Sequence, residues 1–350
     1  MRAGRYHGEG DVRVDDVPEP VAGDGEVRVR VAYNGLCGSD LHEIYDGARA
    51  VPLHAPNPVT GARVPVILGH EAAGFVDQIG RGVDGVHEGD LVVIEPIVPC
   101  GVCPRCAAGT YNLCDHQAFH GLSTGGGGLA EYTTVKASMV HRMPAGTDTR
   151  LAALVEPLAV AYHGVERTGA RPGQSAVILG SGPIGLAVAL LLRARGVACV
   201  LSEPAAHRRA VAEGLGLPTF DASAEGFDLG EATRAWVGAD GADLAFDTAA
   251  GPLTFRAAVS ATAKRGMVML MASPRRPEAS AVLSELLAKE IDLRASYAYA
   301  HDFPPVIETV LSGAIPVDGW VTTKPLSELN DVLTRLRSGE LTKVLIDPTA

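Results

Sequence analysis

Four of the six cysteines in the chain lie within one short stretch, CGVCPRCAAGTYNLC. They follow the pattern CxxCxxC, and seven further residues precede the last cysteine. Cysteines at this spacing can turn inward onto one small ion, whereas adjacent disulfides would be strained. Four thiolates suit tetrahedral zinc and leave no position for a substrate, although redox-active or free thiols are the alternative. The spacing predicts a structural zinc site formed by Cys100, Cys103, Cys106 and Cys114.

A second local motif places glycines at the end of an apolar run. SAVILG reads as a strand, and GSGPIG follows it and opens a helix-like segment. GxGxxG alone is a weak motif, and a glycine turn without a ligand is the alternative. Between a strand and a helix, however, glycines let the backbone approach a pyrophosphate at a helix N-terminus. We therefore expect a dinucleotide to bind at Gly180, Gly182, Pro183, Ile184 and Gly185.

The choice between NAD and NADP depends on the residues after the next predicted strand, VACVLSE. Glu203 lies 18 residues past Gly185, about where the acidic residue that binds the ribose belongs. Its carboxylate can accept a hydrogen bond from the 2′-hydroxyl and repels a 2′-phosphate. Arg208 and Arg209 follow, and an arginine could instead receive a phosphate. The pattern favours NAD, with Arg208 as a further cofactor-binding residue.

Other chemically capable side chains are spread over the first half of the chain. They interrupt three largely apolar segments, and they are Cys37, Ser39, Asp40 and His42, then His70 and Glu71, then Glu156. One cysteine, one histidine and one carboxylate would give zinc three protein ligands and leave a fourth position for water or an alcohol. Such a zinc lowers the pKa of a bound hydroxyl and polarises a carbonyl. Spacing alone does not assemble these residues, so each is also compatible with an ordinary core or surface role.

The strands and helices that must position these residues are most clearly recognisable in the sequence from Arg171 onward. SAVILG, VACVLSE, DLAFDTA and GMVMLMA read as strands that alternate with helix-like stretches. This alternation predicts a parallel sheet with helices on both faces. The apolar run 176–192 is short for a membrane span and contains glycines and a proline, so we interpret it as a strand, a turn and a helix. GGGGLAEY lacks the strand-then-helix context of a phosphate loop, and we expect a flexible turn into a strand.

Composition limits the possible classes of function. The chain has 350 residues, of which 47% are hydrophobic and 20% charged, and this favours a folded protein of two domains. The net charge of −11 includes no basic block, which argues against nucleic acid and anionic membranes as partners. The first residues are charged where a signal peptide would be apolar. We expect a cytoplasmic protein with neither a membrane nor a nucleic-acid partner.

Taken together, the motifs resemble a known family. CGSDLH, GHEAAG, the four-cysteine loop, GGGGLAEY, EPLAVAYH and GSGPIG occur in the order found in zinc-dependent medium-chain alcohol and polyol dehydrogenases. VPLHAPNPVTGARVPVILGHE, YNLCDHQAFHGLS, AYAHDFPPVIE and KVLIDP resemble the butanediol dehydrogenase branch. The resemblance implies an α/β fold with a GroES-like β-barrel catalytic domain, residues 1–153 and 297–350. A doubly wound Rossmann-type NAD-binding domain, residues 154–296, would be inserted, with the active site in the cleft between the domains.

The resemblance also implies a ligand set for a catalytic zinc. Cys37, His70 and a carboxylate would hold the ion. The carboxylate would be Glu71 or Glu156, because family members differ in which of the two is the direct ligand. Asp40 would accept a hydrogen bond from the imidazole of His70 and fix its tautomer.

The same resemblance assigns the reaction and its proton path. Ser39 would take the proton of the alcohol and pass it through the cofactor ribose towards His42 and solvent, while hydride moves to the nicotinamide. The implied substrate is a secondary alcohol, in particular a vicinal diol or acyloin such as 2,3-butanediol and acetoin. Sorbitol-type polyol, threonine or biosynthetic alcohol dehydrogenases are alternatives. Relatives are usually homodimers or homotetramers, and the segment 258–283 is a possible interface.

Overall fold

A computed structural model describes residues 1–251, 253–272 and 282–350. Contacts divide the chain into two compact units. The first consists of Met1–Glu156, Phe303–Leu311 and Val321–Ala350, and the second of Pro157–Asp302 and Ser312–Trp320. The family resemblance implies boundaries after residues 153 and 296. The contacts divide the chain after Glu156 and Asp302 and add Ser312–Trp320 to the second unit.

The bounds of the regular elements are as follows. The strands are β1 (Arg2–Gly8), β2 (Asp11–Asp16), β3 (Glu26–Gly35), β4 (Val66–Ile67), β5 (Glu71–Ile79), β6 (Leu91–Ile94), β7 (Ile97–Val98), β8 (Ala118–Phe119), β9 (Tyr132–Lys136), β10 (Val140–Arg142), β11 (Ser175–Leu179), β12 (Ala198–Glu203), β13 (Thr219–Asp221), β14 (Ala242–Asp247), β15 (Thr262–Leu270), β16 (Asp292–Ala295), β17 (Val321–Pro325) and β18 (Lys343–Asp347). The helices are α1 (Gly38–Tyr45), α2 (Pro104–Ala107), α3 (Thr149–Ala153), α4 (Val155–Thr168), α5 (Pro183–Ala194), α6 (Ala206–Gly214), α7 (Leu229–Val237), α8 (Thr254–Ala261), α9 (Leu283–Lys289), α10 (Phe303–Leu311) and α11 (Leu329–Arg337).

Strand β3 organises the first unit. Its sequence alternates apolar and polar residues, and Val27, Val29 and Val31 are fully buried on one face because side chains alternate along a strand. The main sheet of the unit has the strand order β10-β6-β5-β3-β18-β17, and β9 also pairs with β3. The end of β3 therefore lies beside both the start of β5 and the C-terminal strand β18.

The described strands of the second unit form one parallel sheet in the order β13-β12-β11-β14-β15-β16. Numbered within the unit, this is the 3-2-1-4-5-6 order of doubly wound nucleotide-binding folds, and it confirms the predicted parallel sheet. The apolar run 176–192 divides into β11, a glycine turn and α5. No helix in the described ranges has the length and apolarity that crossing a membrane requires.

The GGGG stretch does lead into β9, but close backbone packing constrains it. The amides of Gly128 and Leu129 donate to the carbonyls of Gly69 and Leu68, at 2.7 and 2.9 Å. A Cβ at Gly127 would collide with the carbonyl oxygens of Ile67 and Leu68. Glycines are therefore needed where this stretch packs against the backbone that precedes His70. We expected a flexible turn, but the structure shows a closely packed segment.

We predict that Gly127→Ala lowers the free energy of unfolding by about 1–3 kcal/mol, because the added methyl forces two backbone segments apart. Gly125→Ala is the matched control, since a Cβ there meets nothing within 4 Å. Thermal and urea unfolding followed by circular dichroism measure both variants. Equal destabilisation of the two would contradict the packing argument.

Candidate active site and metal centres

The site in the first unit forms where two strand ends meet. Gly35, the last residue of β3, pairs with Glu71, the first residue of β5. Cys37 follows β3 and precedes α1, and His70 immediately precedes β5. The ligand atoms of Cys37, His70 and Glu71 all lie within 4.8 Å of one another. Strand register thus brings the thiol of Cys37 next to the adjacent residues His70 and Glu71, which begin 33 residues later in the sequence.

Glu156 is buried in the first turn of α4, with 6% of its surface exposed. Among the described residues, the group of mutually close ligand atoms contains Cys37, His70 and Glu71 and does not extend to Glu156. The two carboxylates that sequence analysis left as alternatives therefore occupy different positions relative to Cys37 and His70.

Helix α1 brings Ser39 and Asp40 to opposite nitrogens of the His70 ring. His70 Nε2 lies 3.2 Å from Ser39 Oγ, and His70 Nδ1 lies 3.4 Å from Asp40 Oδ1. The other carboxylate oxygen of Asp40 accepts a hydrogen bond of 3.0 Å from the Cys37 amide. His70 Nδ1 and Asp40 Oδ1 are buried, and neither has a hydrogen-bond partner within the described residues. The Asp40 carboxylate thus lies next to the imidazole, without the hydrogen bond on which its predicted role depends.

The charge balance around His70 fits a metal cation. Burial of the ring lowers its pKa, but the Asp40 carboxylate and the Cys37 sulfur raise it more, so that the pKa of His70 is well above its ordinary value. A thiol and two carboxylates packed against one buried imidazole call for positive charge. The donor set of one sulfur, one nitrogen and one oxygen is a set that zinc accepts.

His42 lies one helical turn after Ser39 on α1, and its side chain is 55% exposed. Its Nδ1 lies 2.7 Å from the Asp46 carboxylate. Unlike the buried His70, this imidazole is accessible to water.

Lys343, the first residue of β18, is a site residue that the sequence did not predict. It is 1% exposed and forms an ion pair with Glu71, which is equally buried. Its Nζ also donates to the carbonyl of Leu36, at 3.2 Å. The signal that could have found it is a lone lysine that opens the apolar run KVLI near the C-terminus, since a lysine at such a position is rarely buried unless it is paired.

The four-cysteine loop has the geometry of a closed metal cage. Cys103 Sγ lies 3.6 Å from Cys106 Sγ and 3.8 Å from Cys114 Sγ, and Cys100 Sγ lies 4.0 Å from Cys106 Sγ. These separations are much longer than the roughly 2 Å of a disulfide bond. All six cysteines belong to the described residues, and all are free thiols.

The thiol pKa values show why this cluster suits a cation. Backbone hydrogen bonds, chiefly from Cys106, lower the pKa of Cys103 to about 6. Burial raises the pKa of Cys106 to about 12. Four adjacent sulfurs cannot all become thiolates without a counter-charge, and tetrahedral zinc supplies it. The arrangement fits the predicted structural zinc.

The glycine motif of the second unit forms the turn between β11 and α5. Gly180 has a φ of 96°, and a Cβ at Gly185 would collide with the carbonyl of Gly180. Gly182 is the N-cap of α5, Pro183 is its first residue, and a Cβ at Gly182 would enter open space. Ile184 lies in the first turn of the helix. This geometry leaves helix N–H groups accessible to a phosphate.

Glu203 ends β12 beside the glycine turn and is 3% exposed. One carboxylate oxygen accepts from the Ser181 amide and the other from the Ala205 amide, each at 2.9 Å. Arg209 pairs with Asp221 at 2.7 Å, whereas the Nε of half-buried Arg208 has no hydrogen-bond partner among the described residues. Glu203 is thus fixed next to the turn, and Arg208 is the neighbouring arginine with hydrogen-bonding capacity left for a ligand.

Comparison with known proteins is consistent with this geometry. The profile of the alcohol dehydrogenase GroES-like domain matches residues 23–145, and that of the zinc-binding dehydrogenases matches residues 183–312. An (R,R)-butanediol dehydrogenase of Neisseria gonorrhoeae is 33% identical over 93% of this chain and 92% of its own length. A sorbitol dehydrogenase of Bombyx mori is 30% identical over 97% and 96%. The crystal structure of 2R,3R-butanediol dehydrogenase from Bacillus subtilis has a TM-score of 0.92 and 32% identity, with 99% of both chains covered.

The chain therefore belongs to the zinc-binding alcohol dehydrogenases, with a GroES-like domain and a Rossmann-type domain. It is an oxidoreductase that acts on CH–OH groups. The predicted family and fold class are confirmed.

We predict that the purified protein contains about two zinc ions per chain, one in a closed and one in an open site. Cys37→Ser should lose one zinc and the activity, with a smaller fall in its thermal midpoint than Cys103→Ser, because only the open site is altered. Cys103→Ser should lose the other zinc and unfold at a lower temperature, because zinc then no longer crosslinks the four-cysteine loop.

Elemental analysis after dialysis, together with calorimetry, separates these outcomes. Cys199→Ala is the control, because Cys199 is buried in the second unit and should leave both zincs in place. A wild-type protein without zinc would contradict both site assignments.

Proposed function

We propose that this enzyme interconverts a vicinal diol and the corresponding hydroxyketone, with 2,3-butanediol and acetoin as the leading pair, and that it uses NAD. The observation that carries the proposal is the convergence of Cys37, His70 and Glu71 at the ends of β3 and β5. Three ligands leave a coordination position for a substrate oxygen, which a structural zinc site does not. The relative from Neisseria gonorrhoeae and the solved structure from Bacillus subtilis are both butanediol dehydrogenases.

The roles of the individual residues follow from their positions. Cys37, His70 and a carboxylate would hold zinc, and Asp40 would orient the His70 ring. Bound zinc would polarise the substrate oxygen and lower the pKa of its hydroxyl, and NAD would accept hydride. Glu71 is the carboxylate adjacent to the other two ligands, while Glu156 remains an alternative ligand.

Ser39 and His42 are proposed to carry the proton. Ser39 Oγ lies beside His70 Nε2, so its hydroxyl can accept a proton released next to the metal ligands. His42 lies one turn further on the same helix with an exposed imidazole, which suits the exit of the proton to solvent.

The cofactor is proposed to bind at the turn between β11 and α5. The N-terminal amides of α5 and the glycines Gly180, Gly182 and Gly185 would receive the pyrophosphate. Glu203 would accept from the ribose 2′-hydroxyl, and Arg208 would contact the adenosine part of the cofactor. A buried carboxylate at this position disfavours a 2′-phosphate, which is why NAD is proposed over NADP.

We further propose a homo-oligomer, dimer or tetramer, formed through the second unit. Among the described residues β16 is an edge strand of its sheet, and exposed apolar side chains lie on it and on α9, at Leu283, Leu287 and Leu293. Exposed edges with apolar neighbours are usually covered in stable proteins. Of the predicted interface segment 258–283, residues 273–281 lie outside the described residues.

The compartment is proposed to be the cytoplasm. All six cysteines are free thiols, and four of them form the metal-binding loop. Thiols that must bind metal persist in a reducing compartment, whereas secreted proteins commonly oxidise them.

We predict that the zinc-replete enzyme reduces NAD with one butanediol stereoisomer at least about tenfold more efficiently than with sorbitol, xylitol, threonine or 2-propanol, a difference of about 1.4 kcal/mol. The measurement is the initial rate of NADH formation across the panel. Preference for sorbitol would support a polyol dehydrogenase, the second candidate, which the 30% identity to a sorbitol dehydrogenase favours. No reaction on the whole panel, with both zincs and NAD bound, would contradict the proposed substrate class.

We predict that Glu203→Gln raises the ratio of kcat/KM with NADP to that with NAD about tenfold, because removal of the negative charge ends its repulsion of the 2′-phosphate. Initial rates with each cofactor at saturating alcohol give the ratio. Glu225→Gln, at an exposed position of the same unit, is the control. An unchanged ratio would show that Glu203 does not lie at the ribose.

A further inference from the structure

The four-cysteine loop is inserted between β7 and β8, which pair antiparallel at its base. Two of its apolar side chains point into solvent, Val102 with 88% and Leu113 with 51% of their surface exposed. Its backbone hydrogen bonds include one from the Ala107 amide to the Cys103 carbonyl, at 3.0 Å. Bonds of this kind fold the loop on itself, so its attachment to the rest of the unit depends on other contacts.

Glu95, the residue after β6, connects the loop to the sheet. One oxygen of its carboxylate accepts a hydrogen bond of 2.5 Å from the Tyr111 hydroxyl, and the other lies 2.8 Å from Nε2 of His141 on β10. The Glu95 amide donates to the carbonyl of Met139, at 2.7 Å. Because the Glu95 side chain is only 13% exposed, water competes little for these contacts, and hydrogen bonds to a carboxylate are among the stronger ones.

The His141 ring is itself held in place. It stacks on Phe303, with the ring centroids 5.0 Å apart and an interplanar angle of 28°, and Phe303 is fully buried at the start of α10. Its Nε2 faces a carboxylate, which accepts but does not donate, so Nε2 carries a proton and donates it to the bond with Glu95. Glu95 is thus fixed from the side of β10, and its other oxygen is directed to the loop.

Tyr111 transmits this constraint to the predicted metal ligands. It begins a turn of 3₁₀ helix, Tyr111–Leu113, and its carbonyl accepts from the Cys114 amide, at 3.1 Å. The Cys114 sulfur in turn accepts from the Cys100 amide, at 3.3 Å. A tyrosine side chain has few rotatable bonds, so a fixed hydroxyl restricts the backbone that carries it. The bond to Glu95 therefore restrains the backbone beside two of the predicted zinc ligands.

We propose that Glu95 is a positioning residue for the closed metal site: through Tyr111 it anchors the four-cysteine loop to β6 and β10, and it thereby slows the loss of zinc. Zinc leaves a four-sulfur site only when sulfurs move away from it, and an anchored loop opposes that movement. Because Glu95 acts on the metal through Tyr111, its effect is confined to the closed site. This role does not depend on which alcohol the enzyme oxidises.

The first test measures zinc release from the holoenzyme to an excess of a chromogenic chelator. The release phase that is missing in Cys103→Ser is assigned to the four-cysteine loop. Tyr111→Phe removes only the hydroxyl that donates to Glu95, so it should accelerate the loop phase about tenfold and leave the open-site phase within about twofold of wild type. Tyr132→Phe, at another half-buried tyrosine of the first unit, is the matched control.

Hydrogen exchange reports on movement of the loop without a chelator. In Tyr111→Phe, peptides that cover residues 104–114 should exchange about tenfold faster than in wild type, because the loop opens more often. Peptides that cover β6 and β10 should exchange at the wild-type rate, because the strands keep their ladder hydrogen bonds.

Two comparisons show whether the hydroxyl acts through Glu95. In a Glu95→Met background, Tyr111→Phe should change the loop phase less than about twofold, because the acceptor is already gone. His141→Leu should accelerate the loop phase about fivefold, whereas His141→Gln, whose amide still donates to Glu95, should stay within about twofold of wild type. The two His141 variants decide the question if Glu95→Met does not fold.

An unchanged loop phase in Tyr111→Phe would overturn the proposal. Equal acceleration of both phases would overturn it too, because the effect would then be a general loosening of the unit. A full effect of Tyr111→Phe in the Glu95→Met background would show that the hydroxyl acts through another partner, which is equally incompatible with an anchor at Glu95.

Discussion

Negative charge buried beside the metal-ligand segments is the constraint on which the first unit depends. Each acidic side chain there needs a donor or a cation, because an isolated buried carboxylate costs several kcal/mol. Glu43 meets this need with the amides of Arg49, Ala50 and Val51. Glu71 meets it with Lys343, and Asp40 accepts from the Cys37 amide on one side only. What remains around His70 is the Asp40 carboxylate and the Cys37 sulfur, whose negative charge a divalent metal would balance.

This balance depends on contacts between the two ends of the chain. The ligand segments belong to the first 71 residues, yet the buried cation that pairs with Glu71 comes from β18. β18 lies next to β3 in the sheet because its apolar residues Val344 and Ile346 belong to the same core as Leu36 and Ile44. The C-terminal strand must therefore pack beside β3 for Lys343 to pair with Glu71. This requirement explains why the first unit includes the end of the chain.

The structure of the second unit depends more on contacts within single strand-turn-helix segments and between neighbouring strands. Its parallel sheet is formed by short apolar strands connected by helices, and the turn after β11 has glycines where backbone must approach backbone. Glu203 is fixed by amides from Ser181 in the turn and from Ala205 just after its own strand. The residues proposed to bind the cofactor therefore depend on one strand-turn-helix unit and its neighbour.

The sequence by itself determined the four-cysteine cage and the glycine turn, because the spacing of nearby residues constrains where their atoms can go. It also predicted the parallel sheet, since apolar runs of strand length alternate with helical segments. Residue spacing did not assemble Cys37, His70 and a carboxylate, and only the family resemblance implied them as a set. The tertiary structure alone grouped Glu71 rather than Glu156 with Cys37 and His70, and showed Lys343 beside Glu71. These contacts follow from which strands pair and in what register, and that choice is made by packing of residues far apart in the chain.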